Sequence, residues 1–238
     1  MRIAPDGSDV ESYGCTDGFI AGIAFDGKGG LFACDIRFGC VYRLDIASRA
    51  LKKFGTVSFD VPNFPVVDLP RNSLYVTDSF SFDEPGPGVW RYDLSTGEAD
   101  LWHNQSMAFA NGMALGLDGQ SLFIVESKER KVTRLEINPD GSAGSCSTYA
   151  ENLGAFPDGL SFDADGNLYV SCYEPSEIYR VTPDGETELL IKDPEATLIA
   201  HATNTAFRGS DLFSTNLGRW HITKIDLGVQ GAALPLKY

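Results

Sequence analysis

Hydrophobic and polar residues alternate in short runs along most of the chain, and a polar turn separates each run from the next. The segment AGIAFDGKGGLFACD, which begins at Ala21, is typical: it contains an apolar run, an Asp-Gly turn and a second alternating run. Alternation with a period of two predicts half-buried β-strands, and Gly suits the tight turn because it tolerates positive φ. Helical periodicity of any length is absent, so the pattern predicts an all-β protein.

This unit recurs along the chain at a nearly constant spacing. Four further segments have the same form and begin at Asn63, Asn111, Asp158 and Asn204, so the intervals are 42, 48, 47 and 46 residues. Most units contain a third alternating run, and most also contain a fourth. Four antiparallel strands in each repeat of about 40 to 50 residues predict a β-propeller. A large β-sandwich is the alternative all-β fold, but it does not explain the period.

The repeats extend over the whole chain, which predicts a single propeller domain spanning residues 1–238. All-β folds of this length commonly form one domain. The last repeat contains three clear strands, and the first residues resemble the end of a blade whose start is missing. We therefore expect an N-terminal strand to complete the last blade and to close the ring, because closure removes open sheet edges.

Composition and charge limit the partners. The formal net charge is −14, and an acidic surface repels phosphate groups, so neither nucleic acid nor an anionic membrane is expected. The sequence contains neither a signal-peptide run nor the roughly 20 apolar residues of a membrane helix. The five cysteines are odd in number and include no CxxC pair. This pattern indicates buried thiols of a cytoplasmic protein rather than a disulfide framework or a zinc site.

The candidate chemistry lies at the start of the first strand of each repeat. The first strands of a propeller line its central channel, so their starting residues converge at one mouth. These residues are Ala21, Asn63, Asn111, Asp158 and Asn204. Carboxylate and amide oxygens are ligands that hard cations such as Ca²⁺ and Mg²⁺ prefer. Turn formation is the alternative reason for Asn and Asp at strand starts, but the repeat favours a site for a cation or a polar ligand.

The connections between second and third strands open on the same face and add candidates for a substrate pocket. Among them we favour Arg219 and His221 as substrate-binding residues. Glu126 and Arg134 are interpreted as a structural ion pair, and His103 as a surface residue of an outer strand. The sequence contains no GxSxG elbow, no Walker loop and no HExxH motif, so serine-type catalysis has no support.

Three longer stretches resemble a known family: ANGMALGLDGQSLFIVES, FPDGLSFDADGNLYVSCYEPSEIYRVTPDG and TNTAFRGSDLFSTNLGRW. They resemble the senescence marker protein / gluconolactonase / luciferin-regenerating superfamily of six-bladed propellers, its bacterial lactonases above all. The similarity covers nearly the whole chain. The resemblance implies that Asn111 and Asp158 ligate one divalent cation and that Asp158 also acts as the general base. It further implies that Asn63 contacts substrate or metal-bound water and that Asn204 occupies the corresponding place in the last blade.

One element of the family pattern is missing. The family also uses a Glu ligand in an EGP-like motif at the start of its first blade, whereas the nearest equivalent here is Ala21. Five repeats are present where the family has six blades. We therefore expect either an N-terminally shortened member or a five-bladed ring, and weaker cation binding in both cases. A shortened first blade exposes strand edges, so a homo-oligomer that covers them is also expected.

The resemblance implies metal-dependent hydrolysis of a small-molecule lactone, either a sugar lactone or an aliphatic one. Calcium is the cation we expect, with magnesium, manganese or zinc as alternatives. The missing Glu ligand motivates a different hypothesis, a non-catalytic propeller that binds a small molecule or a partner. Carbon–carbon bond formation of the strictosidine-synthase kind is a third hypothesis, but it needs an acid placed for a Schiff base, and the sequence offers none.

Overall fold

Five antiparallel sheets and one short hairpin make up the computed structural model, which describes residues 1–233. Four sheets have four strands and the last has three, and within each sheet every strand pairs with its neighbours in the chain. This confirms the predicted propeller of antiparallel blades. The strands, in chain order, are β1 Arg2–Ile3, β2 Val10–Glu11, β3 Ile20–Phe25, β4 Gly30–Asp35, β5 Cys40–Asp45, β6 Leu51–Phe54, β7 Pro62–Asp68, β8 Ser73–Asp78, β9 Gly88–Asp93, β10 Ala99–His103, β11 Ala110–Leu115, β12 Ser121–Glu126, β13 Lys131–Ile137, β14 Ala143–Ala150, β15 Pro157–Phe162, β16 Leu168–Cys172, β17 Glu177–Val181, β18 Thr187–Lys192, β19 Ala202–Arg208, β20 Asp211–Asn216 and β21 Ile222–Asp226.

The turns between first and second strands form as the sequence predicts. Gly27, Gly119 and Gly166 follow Asp in three of these turns, and their φ angles are 64°, 67° and 86°. Positive φ is the conformation that Gly adopts without steric cost. The turns therefore separate the first and second strands where the sequence predicts them.

The hydrophobic core lies between blades rather than at the centre of the molecule. Four clusters of buried side chains occur, one at each interface between successive blades. The first strands, β3, β7, β11, β15 and β19, pack side by side in this order, and we call them the inner strands. The inner strands therefore follow one another around a common channel, and their starting ends form its mouth.

The ring of blades is open between the first and the last blade. No comparable packing joins β19 back to β3 within residues 1–233. Ile23 on β3 is 50% exposed, whereas Met113 and Leu160, at the same register in the third and fourth blades, are 1% and 5% exposed. No sheet of the described chain covers that side of the first blade.

The expected closure by an N-terminal strand is wrong for the described residues. β1 pairs with β2, and β21 has β20 as its strand partner. The β1–β2 hairpin instead lies at the end of the molecule opposite the mouth. There Arg49 of the first blade pairs with Glu11, and Arg208 at the end of β19 donates to the carbonyl of Pro5 at 3.2 Å. The hairpin thus connects the two terminal blades through polar contacts without completing a sheet.

The five cysteines are free thiols, as the sequence predicts, but Cys15 and Cys146 are exposed rather than buried.

His103 is only 4% exposed, so its interpretation as a surface residue is wrong. It lies on β10, where its Nε2 is 3.5 Å from the sulfur of Cys146 on the next blade. Desolvation lowers the pKa of His103, and partial desolvation raises the pKa of the exposed Cys146. Both groups are therefore neutral near pH 7. Within residues 1–233 no helix is long and apolar enough to cross a membrane.

Candidate active site at the channel mouth

Strand register defines which residues lie at the mouth. Each inner strand begins with a residue that pairs with the last residue of the second strand, and the register then shifts, which marks a bulge. A bulge bends the strand and re-aims a side chain. The residue that follows the first pair is Ala21, Asn63, Asn111, Asp158 and Thr203 in the five blades.

One predicted mouth residue is displaced by one position. Ala202 is the first paired residue of β19, so Thr203 occupies the place of Asp158, and Asn204 pairs with Thr215 one step further along the strand. The expectation that Asn204 occupies the corresponding place is therefore wrong. The Asn204 Oδ1 atom instead accepts a hydrogen bond from the amide of Thr205 at 2.8 Å. Its predicted contact with substrate stays a prediction.

Glycines at the next position bring successive inner strands into close approach. A Cβ atom on Gly112 would lie 2.1 Å from the carbonyl oxygen of Asp158, and one on Gly159 would lie 2.4 Å from Oδ1 of Asn204. Such distances leave no room for a side chain, so Gly is required at both places. The close approach places Asn111 and Asp158 on directly adjacent strands at the mouth.

Two serines hold the mouth asparagines in place. Nδ2 of Asn111 donates to Oγ of Ser127 at 3.0 Å, and Ser127 donates in turn to the carbonyl of Pro157 at 2.6 Å. Asn63 makes the same contact with Ser79 one blade earlier, also at 3.0 Å. Each serine directly follows a second strand and bridges to the next blade. The sequence analysis missed both residues because they lie in connections without a periodic pattern.

The orientation of Asn111 turns its acceptor atom away from this network. Asn111 is 6% exposed, and its Oδ1 atom is buried without a hydrogen-bond partner among the described residues. A buried polar atom without a partner is costly and is rare in folded proteins. Because Nδ2 is used by Ser127, the free group is a pure acceptor, which suits a cation or a hydrogen-bond donor of a ligand.

Asp158 is the one carboxylate among the five mouth positions. Within the described chain no hydrogen bond or ion pair engages its carboxylate, and burial raises its pKa to about 7. Desolvation disfavours the charged form of a carboxyl group, and no cation of the protein compensates for it. A half-buried acid whose pKa lies near neutrality can both accept and donate a proton at physiological pH.

The carboxylates at the ends of the second strands have a structural role. Asp35, Asp78 and Glu126 accept hydrogen bonds from the backbone amides of Phe19, Val61 and Ala108, at 3.2, 3.0 and 3.0 Å. These bonds anchor the chain just before it enters each inner strand. Glu126 pairs with Lys131 at 3.3 Å rather than with Arg134, so the predicted ion pair is wrong. The guanidinium of Arg134 donates instead to Oγ of Ser121.

The two favoured loop residues are tied to the connection that precedes β19. Nε of Arg219 donates to the carbonyl of Ala196 at 3.3 Å, and Nε2 of His221 lies 2.9 Å from the carbonyl of Leu198. Both side chains are exposed, and no contact joins either of them to Asn111 or Asp158. Their role in substrate binding stays a prediction.

Several solved structures have the same fold as this chain. The structure of a proposed gluconolactonase superimposes with a TM-score of 0.77 at 20% identity, over 98% of this chain and 81% of that chain. A gluconolactonase from Xanthomonas campestris gives 0.68 at 21% identity, over 84% and 69%. A nidogen/laminin complex gives 0.73 at 16% identity, over 89% and 77%. At these identities the likeness concerns the fold alone.

Three curated proteins are similar in sequence to parts of this chain. Protein STRICTOSIDINE SYNTHASE-LIKE 10 of Arabidopsis thaliana is 27% identical over 66% of this chain, and regucalcin of Xenopus laevis is 28% identical over 46% of it. Lactonase drp35 of Staphylococcus saprophyticus is 27% identical over 43%. The chain spans less than half the length of these curated relatives, 46%, 36% and 34% respectively. The family model for the SMP-30/Gluconolactonase/LRE-like region matches residues 66–215, which include Asn111 and Asp158, and the chain therefore belongs to this family.

Proposed function

We propose that the protein hydrolyses lactones at the channel mouth, with Asp158 as the group that transfers the proton. The observation that carries the proposal is the half-buried carboxylate of Asp158, which has no partner among the described residues and a pKa raised to about 7. Membership of a family that includes named lactonases supports the reaction class. Without a cation this pKa lies near the operating pH, where general acid–base catalysis is most efficient, and the charge of a bound cation would lower it.

The residues of the chain account for the proton steps. The ionised Asp158 takes a proton from water while the water oxygen bonds to the lactone carbonyl carbon. The resulting tetrahedral intermediate collapses when the bond between this carbon and the ring oxygen breaks. The protonated Asp158 then returns its proton to the ring oxygen, so the product is a hydroxy acid and the carboxylate is regenerated. Ser127 holds the amide of Asn111 on the strand next to that of Asp158.

A divalent cation, with calcium preferred, is part of the proposal. The donor set fits a hard cation because the carboxylate of Asp158 and the partnerless Oδ1 of Asn111 are both acceptors. When bound, the cation would supply Lewis-acid stabilisation of the developing oxyanion. No group of three or more His, Cys, Asp or Glu suited to a metal occurs in residues 1–233. Water oxygens would therefore complete the coordination, and we expect weak binding.

The test measures hydrolysis of glucono-δ-lactone and of alkyl γ-lactones. Each lactone is assayed after a chelator has removed divalent cations and again after calcium, magnesium, manganese or zinc has been added back. Asp158→Asn should lower kcat about 100-fold or more, the usual share of general acid–base catalysis. Asp60→Asn serves as the matched control, because it removes the same charge from an exposed carboxylate near the entry to β7. It should leave kcat unchanged.

Two outcomes would overturn the proposal. Full activity in Asp158→Asn would remove Asp158 from the reaction, and full activity after complete chelation would remove the cation. A well-folded protein that hydrolyses none of these lactones would instead be a ligand-binding propeller, in line with Ala21 at the mouth of the first blade.

A further inference from the structure

Three phenylalanine rings from three successive blades meet beside the mouth. Phe82 lies 5.5 Å from Phe109 and 5.5 Å from Phe156, measured between ring centroids. Phe109 and Phe156 each lie two residues before a mouth residue, Asn111 and Asp158 respectively. We call these three rings the phenylalanine cluster. Its position in the chain puts it at the entrance to the candidate active site.

An unusually long connection brings Phe82 to this place. The connection between the second and third strands spans residues 79–87 in the second blade, whereas those of the other blades span 36–39, 127–130, 173–176 and 217–221. Gly86 forms an isolated β-bridge with Met107, which anchors the connection against the chain that leads to β11. Loops that a rigid scaffold positions commonly carry binding residues.

The amino group of Lys128 holds the loop from the neighbouring blade. Its Nζ atom donates to the carbonyl of Asp83 at 3.1 Å and lies 5.6 Å from the centroid of Phe82. The only cation beside the cluster is thus engaged by the loop itself, within the described contacts. The charge stays beside Phe82, and among the described contacts no cation lies over Phe109 or Phe156.

The cluster is not closed over by the rest of the described chain. Phe82 is 43% exposed, and Phe109 and Phe156 are half-buried. Exposed aromatic surface gains free energy when an apolar group covers it. The ring planes are inclined at 64° and 51° to one another, so they present edges and faces from several directions rather than one flat platform. Ring edges and faces presented in this way suit an alkyl or phenyl group better than the flat face of a sugar.

We propose that the phenylalanine cluster binds an apolar substituent of the substrate, so that the preferred substrates are lactones carrying an alkyl or aryl group rather than polyhydroxylated sugar lactones. This proposal rests on the proposed lactone hydrolysis for its catalytic part. The lactone ring would reach Asp158 while its substituent extends against Phe82, Phe109 and Phe156.

The experiment measures kcat/KM for γ-butyrolactone and for γ-lactones with alkyl chains of increasing length, with glucono-δ-lactone for comparison. We expect kcat/KM to rise by up to about fourfold for each methylene until the cluster is covered. Phe82→Ala should reduce this rise, because one of the three rings that cover the chain is lost. Phe38→Ala is the matched control, because Phe38 is 46% exposed in the equivalent connection of the first blade and has no contact with the cluster. It should retain the full rise.

A binding measurement separates this proposal from the proposed reaction. The γ-lactams with the same alkyl chains resist hydrolysis, and their affinities can be measured by calorimetry for each variant. Affinity that rises with chain length, and does so less in Phe82→Ala, supports the cluster even if no lactone is hydrolysed. Affinity independent of chain length, or equal losses in Phe82→Ala and Phe38→Ala, would overturn the proposal.

Discussion

At the scale of single residues, Asp158 is stabilised less by its surroundings than any other described carboxylate at a strand end. Asp35 and Asp78 occupy buried positions at the ends of second strands but accept backbone hydrogen bonds, whereas Asp158 has none. The protein therefore loses stability at neutral pH by holding Asp158 in this place. Stored instability of this kind is typical of functional sites.

This instability has a defined pH dependence. The pKa of Asp158 is raised from 3.8 to about 7 by burial, so the folded state holds the proton more tightly than the unfolded state. The penalty is therefore absent below about pH 4, grows as the pH rises and is complete above about pH 7. Asp158→Asn should raise the free energy of unfolding by about 2–4 kcal/mol at pH 8 and leave it nearly unchanged at pH 4.

Urea unfolding at both pH values, in the presence of a chelator, measures this difference. The same gain at pH 4 and pH 8 would contradict the assignment, because it would mean that the side chain acts through its shape and not through its charge. Asp60→Asn, which changes an exposed carboxylate, provides the comparison.

At the scale of elements, the second strand of one blade organises the first strand of the next. Ser127, which follows β12, contacts Asn111 within its own blade and the carbonyl of Pro157 in the fourth blade. Ser79 repeats this arrangement between the second and third blades, where it donates to the carbonyl of Ala110 at 2.6 Å. The mouth is thus built by contacts between blades and not by one strand alone.

The two serines form a matched pair for mutation. Ser127→Ala removes two buried hydrogen bonds, and Ser79→Ala removes one buried and one part-buried hydrogen bond. Each change should therefore lower the free energy of unfolding by about 1–3 kcal/mol. The proposed cation contacts Asn111 and not Asn63. Ser127→Ala should therefore raise the cation concentration that gives half-maximal activity, on the order of tenfold, and Ser79→Ala should change it little.

Denaturant unfolding and a cation titration of lactonase activity provide the two measurements. Equal shifts of the cation requirement in both variants would show that Ser127 has no special relation to the site. Ser127→Thr, which keeps the hydroxyl group, should restore much of the loss.

At the scale of the whole molecule, the open ring makes stability uneven. The middle blades are covered on both sides, and every residue of β12 and β16 is buried. β21 is an edge strand with alternating exposed residues, and β3 carries the exposed Ile23. Regions with few buried contacts open locally at lower free energy than the core.

We therefore expect amide hydrogen exchange to be graded around the ring. The amides of β12 and β16 should exchange on the order of 100-fold more slowly than those of β21. Exchange measured by mass spectrometry at low protein concentration tests this. Equal protection of β21 and β12 would mean that the terminal blades are covered in solution. If that protection increased with protein concentration, it would mark the homo-oligomer that the exposed strand edges lead us to expect.

The sequence by itself determined the blades and most of the residues that lie at the channel mouth. Alternation with a period of two, Asp-Gly turns and a spacing of 42 to 48 residues are local properties, and they specify strands, hairpins and repeats without reference to the rest of the fold. Asn111 and Asp158 were identified because the same position recurs in each repeat. The family resemblance also follows from these stretches and is confirmed by the family model.

Only the tertiary structure could reveal the features that depend on contacts between blades. The bulge at the start of β19 places Thr203, not Asn204, at the mouth, because register is a property of strand pairing. The opening of the ring, the serines that hold Asn63 and Asn111, and the loop that brings Phe82 to the mouth all involve residues far apart in sequence. The raised pKa of Asp158 arises from burial, which the sequence around residue 158 does not specify, because the atoms that exclude water there belong to other strands.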